Sequence, residues 1–232
     1  VLSWEVNVLA TQQLAERATR SGVRQFIYAS SGSVYGIKDE EKITEDVTLV
    51  PITVYNETKM VAERVLLSYS GQMQVHCIRP ATVCGWSPRM RLDVSVNMLA
   101  MQALRDGKMT VFGGEQTRPN INMKDMVRVY KHFVDHPDLA SGCYNAGFEN
   151  CSIIEIAESI REKIPCEIEV TGSNDPRSYR QDSSKLRTTE FEPLWSVADA
   201  VDEIITKYQQ GKIIDDDQCY TVRWMKHLHL QA

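Results

Sequence analysis

Apolar residues recur along this chain in two patterns, one typical of helices and the other of strands. Residues 4–20 have apolar side chains at helical spacing, and Ser21–Gly22 ends that pattern. The β-branched and aromatic run at 23–30 predicts a short strand. A second helix is predicted over 54–69 and a second short strand over 74–80. This alternation predicts parallel strands joined by crossover helices, which is an α/β fold.

The remainder of the chain continues the alternation less regularly. The segment after the second strand, ATVCGWSPR (81–89), predicts an irregular loop, and the residues beyond Ile213 have little periodicity and predict a tail against the body. Further helices are predicted over 92–104, 124–136, 152–163 and 197–208, and further strands over 109–112, 142–147 and 166–172.

Composition narrows the class of ligand. The chain has 232 residues, 43% hydrophobic and 25% charged, with a formal net charge of −5. The absence of a dense Lys/Arg run argues against nucleic acid or an anionic membrane as partner. No apolar stretch reaches the roughly 18 residues of a membrane helix, so we expect a cytoplasmic protein that binds a small molecule.

Cysteine and histidine usage adds little chemistry of its own. The six cysteines form no CxxC pair, so we expect reduced thiols. His227 and His229 could lie on one face of a strand, but no Cys, Asp or Glu follows at matching short spacing. A polar tail is the expectation there, and no metal site is predicted.

Two polar clusters suggest chemistry on an alcohol. The ASSGS turn (29–33) follows the first predicted strand, at the edge where α/β sheets bind ligands. Tyr55 and Lys59 share one helix face, and a tyrosine with an ordinary pKa near 10 becomes a usable acid or base beside a cation. Together they suit proton movement at a hydroxyl while hydride is exchanged with a nicotinamide cofactor. The plainer alternative, a packed tyrosine and a solvated lysine, stays open on this spacing alone.

An ordered series of motifs then resembles the extended short-chain dehydrogenases/reductases, the nucleotide-sugar epimerase and dehydratase family. The resemblance runs from Val6 to Pro193 through NVLAT, FIYASSGSVYG, TED, VYNETK, IRPATVCG, TVFGGEQTRPNINMKDMV, YNAGFENCSIIEIA and DSSKL. It implies a Rossmann-like parallel sheet with a smaller α/β substrate-binding domain. By this resemblance, 1–86 and 120–148 form an N-terminally incomplete cofactor domain, and 87–119 and 149–232 form the nucleotide-sugar domain.

The resemblance also implies roles for individual residues. The catalytic residues would be Ser31, Tyr55 and Lys59. The cofactor, NAD with NADP possible, would contact Ala29, Ser30, Tyr55, Lys59, Pro80 and Val83. The nucleotide-diphosphate sugar would contact Ser33, Thr82, Asn97, Phe112, Arg118 and Arg177. A guanidinium fork suits phosphate oxygens and a phenyl face suits a base, which agrees with the roles of Arg118 and Phe112.

The sequence departs from the family pattern at its start. No GxGxxG follows a predicted strand, and no ribose-binding acid follows at the proper distance. A parallel sheet without its first strands would have an open apolar edge. We therefore expect this chain to be about the last two thirds of a full enzyme, or to receive the missing half from another chain.

Further departures concern the substrate. Gly32-Ser33 stands where 4,6-dehydratases of the family have Asp-Glu, and the cysteine that some 3,5-epimerases have at Ser33 is missing. Thr82 replaces an Asn, and Gly172 replaces an Arg that grips phosphate. The phosphate would then be held either by Arg177 or Arg180 in one basic loop or by Arg89 and Arg91 in another.

The leading hypothesis is therefore an NAD-dependent nucleotide-sugar epimerase that acts at carbon 4 through a 4-keto intermediate. One alternative is a 4-ketoreductase with the same residues and NADP. The other is a non-catalytic fragment or sugar-nucleotide-binding module, should the chain be complete as given. The resemblance also implies a homodimer through the helices predicted at 4–20 and 54–69, whose apolar patterns equally fit core packing.

Overall fold

A computed structural model describes residues 1–38, 40–172 and 178–230. Its first sheet has the strand order β1-β2-β6, and all three strands are parallel. The strands within these described residues are β1 (Gln25–Ala29), β2 (Gln74–Pro80), β3 (Thr82–Cys84), β4 (Lys108–Phe112), β5 (Thr117–Asn122), β6 (Gly142–Ala146), β7 (Glu149–Ser152) and β8 (Glu167–Thr171). Ala29 pairs with Ile78, and Pro80 pairs with Ala146, so the carboxyl ends of the three strands meet at one edge. The predicted parallel α/β arrangement is confirmed.

Helices cover both faces of this sheet. The α-helices are α1 (Leu2–Trp4), α2 (Ala10–Arg20), α3 (Val54–Leu67), α4 (Ser95–Asp106), α5 (Met123–Asp135), α6 (Ile153–Lys163), α7 (Ser184–Arg187), α8 (Val197–Gln209) and α9 (Thr221–His227). A π-helical segment, Glu5–Leu9, joins α1 to α2, so that helical backbone runs through the stretch predicted at 4–20.

The two faces of β2 belong to different cores, as the period of two in a strand requires. Val75 and Cys77 pack with Ala62 and Leu66 of α3 on one face. On the other face Ile78 packs in the cluster that contains Phe133 of α5. Helix α3 therefore lies directly on the strands that end at the predicted site.

A second region surrounds two smaller sheets. One has the order β3-β5-β7, with β3 parallel and β7 antiparallel to β5, and the other pairs β4 with β8 in parallel. Helices α4, α6 and α8 close a core over them, which includes Leu99, Val111, Ile160 and Ile204. Strand β5 crosses the boundary predicted at 119/120, and the predicted division into two domains stays a prediction.

Several sequence expectations were wrong in detail. The segment predicted as an irregular loop after β2 contains β3, and β5 and β7 were not predicted at all. The predicted tail contains α9, and Cys219 just before that helix is buried in the core of the second region. Across the described ranges 1–38, 40–172 and 178–230, no helix combines the length and hydropathy needed to span a bilayer.

Candidate active site

The first part of the site is the turn after β1. Ser31 caps a 3-10 helix formed by Gly32–Tyr35, and its Oγ accepts the Ser33 backbone N–H at 3.2 Å. Gly36 ends this helix with φ of +74°, and a Cβ there would lie 1.9 Å from the Val50 carbonyl oxygen. Glycine is therefore required at this position, and the turn holds the Ser31 hydroxyl at the carboxyl edge of the sheet.

The second part is the start of α3. The Thr53 side chain caps the helix by accepting the Asn56 N–H at 3.2 Å. Tyr55 lies in the first turn with 46% of its surface exposed. Lys59, one turn later, donates from Nζ to the Ala29 carbonyl at 2.9 Å, and Nζ lies 5.8 Å from the centroid of the Tyr55 ring. Burial lowers the pKa of Lys59, opposed by the charge of Glu63.

A buried ion pair lies beneath this reactive end. Glu63 continues the Tyr55 and Lys59 face by one more turn and is 2% exposed. Its carboxylate accepts Arg79 Nε at 2.9 Å and Arg79 Nη2 at 2.8 Å, which is a bidentate pair. Ser30 Oγ donates to the same carboxylate at 2.5 Å. Glu63 therefore joins α3 to the turn after β1 and to strand β2.

The network continues through neutral groups. Arg79 donates from Nη1 to the Tyr35 hydroxyl at 2.8 Å, and that hydroxyl donates to Asn145 Oδ1 at 2.7 Å. Gln181 Nε2 donates to the Arg79 carbonyl at 2.8 Å and to Asn145 Oδ1 at 2.9 Å. Burial raises the pKa of Tyr35. These bonds tie strands β2 and β6 to a loop of the second region, directly below the Ser31 turn.

A cavity of about 240 Å³ opens beside Ser33, in the turn after β1, and reaches the second region. Residues from the Ser31 turn, helices α3 and α4, strands β3 and β5 and three loops line it, among them Ser33, Asn56, Thr82, Asp93, Arg118 and Tyr179. Three predicted substrate residues, Ser33, Thr82 and Arg118, are thus brought together. The ligand role of each stays a prediction.

The remaining predicted residues lie in varied surroundings. Pro80 ends β2 half-buried, and Val83 in β3 packs half-buried against the cluster that contains Ile78 and Phe133. Phe112 ends β4 with 53% of its surface exposed. Asn97 is buried, and its amide bonds the Gly85 N–H at 2.9 Å and the Arg91 carbonyl at 2.9 Å, which fits a framework role. Arg177 lies outside the described residues.

Sequence reasoning missed the residues that hold the site. Glu63 follows Lys59 by four positions, so a third polar residue on that helix face was a visible signal. Asn56, Asp93 and Tyr179 carry no such signal, because only the fold brings them to the cavity. Within 1–38, 40–172 and 178–230, no three His, Cys, Asp or Glu side chains gather as a metal site would require.

Two relatives found by sequence comparison are named as UDP-glucose epimerases. The chain is 26% identical over 202 residues to an uncharacterized UDP-glucose epimerase of Bacillus subtilis, over 84% of this chain and 64% of that protein. It is 29% identical over 210 residues to a UDP-glucose 4-epimerase of Lactobacillus helveticus, over 80% of this chain and 63% of that protein. The chain thus spans less than two thirds of the length of these relatives.

Solved structures with the same fold contain cofactor and nucleotide sugar. MoeE5 in complex with UDP-glucuronic acid and NAD superposes with a TM-score of 0.78 at 27% identity, covering 90% of this chain and 72% of that one. A UDP-glucuronic acid 4-epimerase from Bacillus cereus, in complex with UDP-glucuronic acid and NAD, gives 0.76 at 26% identity and covers 88% and 67%. The sequence model of the NAD dependent epimerase/dehydratase family matches residues 2–147. The chain belongs to the NAD-dependent epimerase/dehydratase family.

Proposed function

We propose that the protein is an NAD-dependent nucleotide-sugar epimerase that inverts carbon 4 of its sugar. The observation that carries the proposal is the convergence of Ser31, Tyr55 and Lys59 at the carboxyl edge of the parallel sheet, with Lys59 Nζ bonded to the Ala29 carbonyl at 2.9 Å. The Lactobacillus helveticus relative, which is named as a UDP-glucose 4-epimerase, supports the same reaction class. Gly32-Ser33, in place of the acidic pair of dehydratases, favours epimerisation over loss of water.

The residues at this edge fit the nicotinamide end of NAD. Lys59 is a half-buried ammonium group, and a ribose diol is a natural acceptor for such a donor. Ala29 and Ser30 form the strand end beside it, with Pro80 and Val83 across the sheet edge. When bound, NAD supplies the group that accepts hydride from carbon 4 and returns it.

The chain's own residues handle the proton. Tyr55, half exposed at the start of α3, takes the proton of the carbon 4 hydroxyl and later gives it back. Lys59 lies one helical turn away, with its Nζ 5.8 Å from the centroid of that ring. Ser31 holds the substrate oxygen. The sugar reorients in the site as a 4-keto compound between the two proton transfers. The same three residues therefore serve both the removal and the return of the proton.

The cavity beside the site suits a nucleotide diphosphate. Arg118 lies in its wall and offers a planar donor fork for phosphate oxygens. Phe112 is exposed at the end of β4 and offers a face for the base. A UDP-sugar is the substrate that the named structural neighbours support.

We place this enzyme in the cytoplasm as a homodimer. Supporting the dimer, the helical segment from α1 to α2 exposes several large apolar side chains, namely Trp4, Val6, Leu9 and Leu14. Covering such a row against a second copy would remove it from water. Sedimentation of the natural protein tests this, with a dimer expected and a monomer contradicting it.

Product analysis with a cofactor balance tests the reaction. The protein, purified at its natural length, is incubated with UDP-glucose or UDP-glucuronic acid, and the sugar products and NAD(P)H are measured together. We expect the carbon 4 epimer to accumulate while the nicotinamide remains constant. Consumption of one NAD(P)H per product would instead assign a 4-ketoreductase, and tight binding without turnover would assign a binding module.

A further inference from the structure

Three side chains in a row, Ser31, Ser33 and Asn56, fix which oxygen donates in the hydrogen bond between the two serines. Ser31 Oγ and Ser33 Oγ lie 2.8 Å apart, and Ser33 Oγ donates to Asn56 Oδ1 at 2.9 Å. An amide oxygen can only accept, and a hydroxyl has one proton. Because the Ser33 proton is used toward Asn56, the bond between the two serines requires Ser31 to be the donor.

Counting the hydrogen bonds of the Ser31 hydroxyl shows how many more it can make to a ligand. Its proton is directed to Ser33, and one of its two lone pairs accepts the Ser33 backbone N–H at 3.2 Å. Only one acceptor position is left for a ligand. A substrate hydroxyl meeting Ser31 in this state would have to donate to it, yet the proposed reaction needs that same proton to go to Tyr55.

Asn56 is well placed to enforce this arrangement. It is 6% exposed, it directly follows Tyr55 in α3, and its backbone N–H is held by the Thr53 cap. Both Ser33 and Asn56 line the cavity beside the site. The amide oxygen of Asn56, which accepts the last of these hydrogen bonds, is therefore held in the same helix turn as Tyr55, the proposed acid/base.

We propose that Ser33 and Asn56 are positioning residues that hold the Ser31 proton away from the substrate oxygen, so that a nucleotide sugar must compete for it on binding. This inference rests on the proposed function and assigns Ser33 an effect through Ser31 in place of a direct sugar contact. Ser31 becomes a donor to the substrate only when its proton leaves Ser33. The competition affects the sugar and not the nucleotide.

Comparing the dissociation constants of two ligands separates the effect on sugar binding from the effect on nucleotide binding. UDP has no carbon 4 hydroxyl, whereas UDP-glucose has one, so the ratio of their dissociation constants reports the exchange at Ser31. In the natural protein with its cofactor bound, Ser33→Ala removes the competing acceptor. We expect UDP-glucose to bind about fivefold more tightly, the size of one neutral hydrogen bond, with UDP unchanged.

Two further variants separate this role from a structural one. Asn56→Ala frees the Ser33 proton to turn toward Ser31, so the same tightening for UDP-glucose is expected. Ser33→Thr keeps the hydroxyl and is expected to bind both ligands as the natural protein does. Thermal unfolding of each variant confirms that the ligands meet folded protein.

Several outcomes would overturn the proposal. Weaker UDP-glucose binding in Ser33→Ala, with UDP unchanged, would make Ser33 a direct sugar ligand. An unchanged ratio in both alanine variants would show that the Ser31 proton is not held. If the natural protein binds neither UDP nor UDP-glucose, the proposed function itself fails, which is distinct from either result.

Discussion

Helix α3 has two ends that differ in solvent access along a single face. Tyr55 at its start is 46% exposed, Lys59 is half-buried, and Glu63 is 2% exposed in a bidentate pair with Arg79. The exposed end is accessible to a ligand, whereas both carboxylate oxygens at the buried end already accept hydrogen bonds. The comparison teaches that the helix turn of the proposed reactive residues is anchored by a buried ion pair about two turns away.

The largest expected effect comes from the exposed end. Tyr55→Phe removes the proposed acid/base and should lower epimerase activity by about 10²- to 10⁴-fold. Because Tyr55 is 46% exposed, we expect the melting temperature to change little. Steady-state kinetics with UDP-glucose and a thermal melt measure both. Tyr208→Phe, in an exposed position of α8, is the matched control and should retain full activity.

A substitution at the buried end of α3 should mainly lower the stability of the fold. Glu63→Gln leaves the Arg79 charge buried and uncompensated, which costs about 3–5 kcal/mol of unfolding free energy. Urea denaturation measures the loss. The double variant Glu63→Leu with Arg79→Met removes both charges and should recover about half of it or more. A loss under about 1 kcal/mol in Glu63→Gln would contradict the anchoring role of the pair.

Replacing Lys59, which lies between the two ends of α3, should change both stability and activity. Burial lowers its pKa in the folded state, so the unfolded state binds the proton more readily. This destabilises the fold at neutral pH, and the penalty disappears as pH rises past the unfolded value of about 10.4. Lys59→Met should therefore raise the unfolding free energy at pH 7 and not at pH 11, while epimerase activity falls about tenfold or more.

The control for this variant is Lys212→Met, at an exposed position. It should alter neither stability nor activity at either pH. A Lys59→Met protein that is less stable than the natural one at pH 7 would show that the bond to Ala29 outweighs the burial penalty.

The smallest expected effect concerns Ser30. Ser30→Ala removes one donor to the Glu63 carboxylate, which keeps both bonds from Arg79. We expect a loss of about 1 kcal/mol in unfolding free energy, measured by urea denaturation. Ser70→Ala, exposed after α3, is the comparison and should be neutral. A loss as large as that of Glu63→Gln would place Ser30 among the principal anchors.

Local signals were sufficient for most of the first sheet. Strands β1 and β2 and helix α3 follow from apolar periodicity and clear end signals, and their predicted bounds differ from the observed ones by two residues or fewer. Strand β5 was missed because Pro119 argues against a central strand, although β5 lies between β3 and β7. Strand β3 has only three residues, which is too short for an alternating pattern.

The candidate site could also be predicted only where local spacing carries information. Tyr55 and Lys59 share a helix face, so their spacing indicates a joint role. The contacts of Ser33 with Asn56 and of Glu63 with Arg79 span 23 and 16 positions, and sequence spacing carries no information about them. The framework of the site therefore comes from tertiary packing, whereas the residues proposed to react are indicated by local pattern.

One measurement tests the central claim most directly, namely epimerisation of UDP-glucose by the natural protein in D₂O, followed by NMR of the product. Hydride that leaves carbon 4 and returns to it does not exchange with solvent, so we predict the carbon 4 epimer with hydrogen and no deuterium at that carbon. Deuterium in the sugar ring of the product would show inversion through carbanion chemistry and would contradict the account.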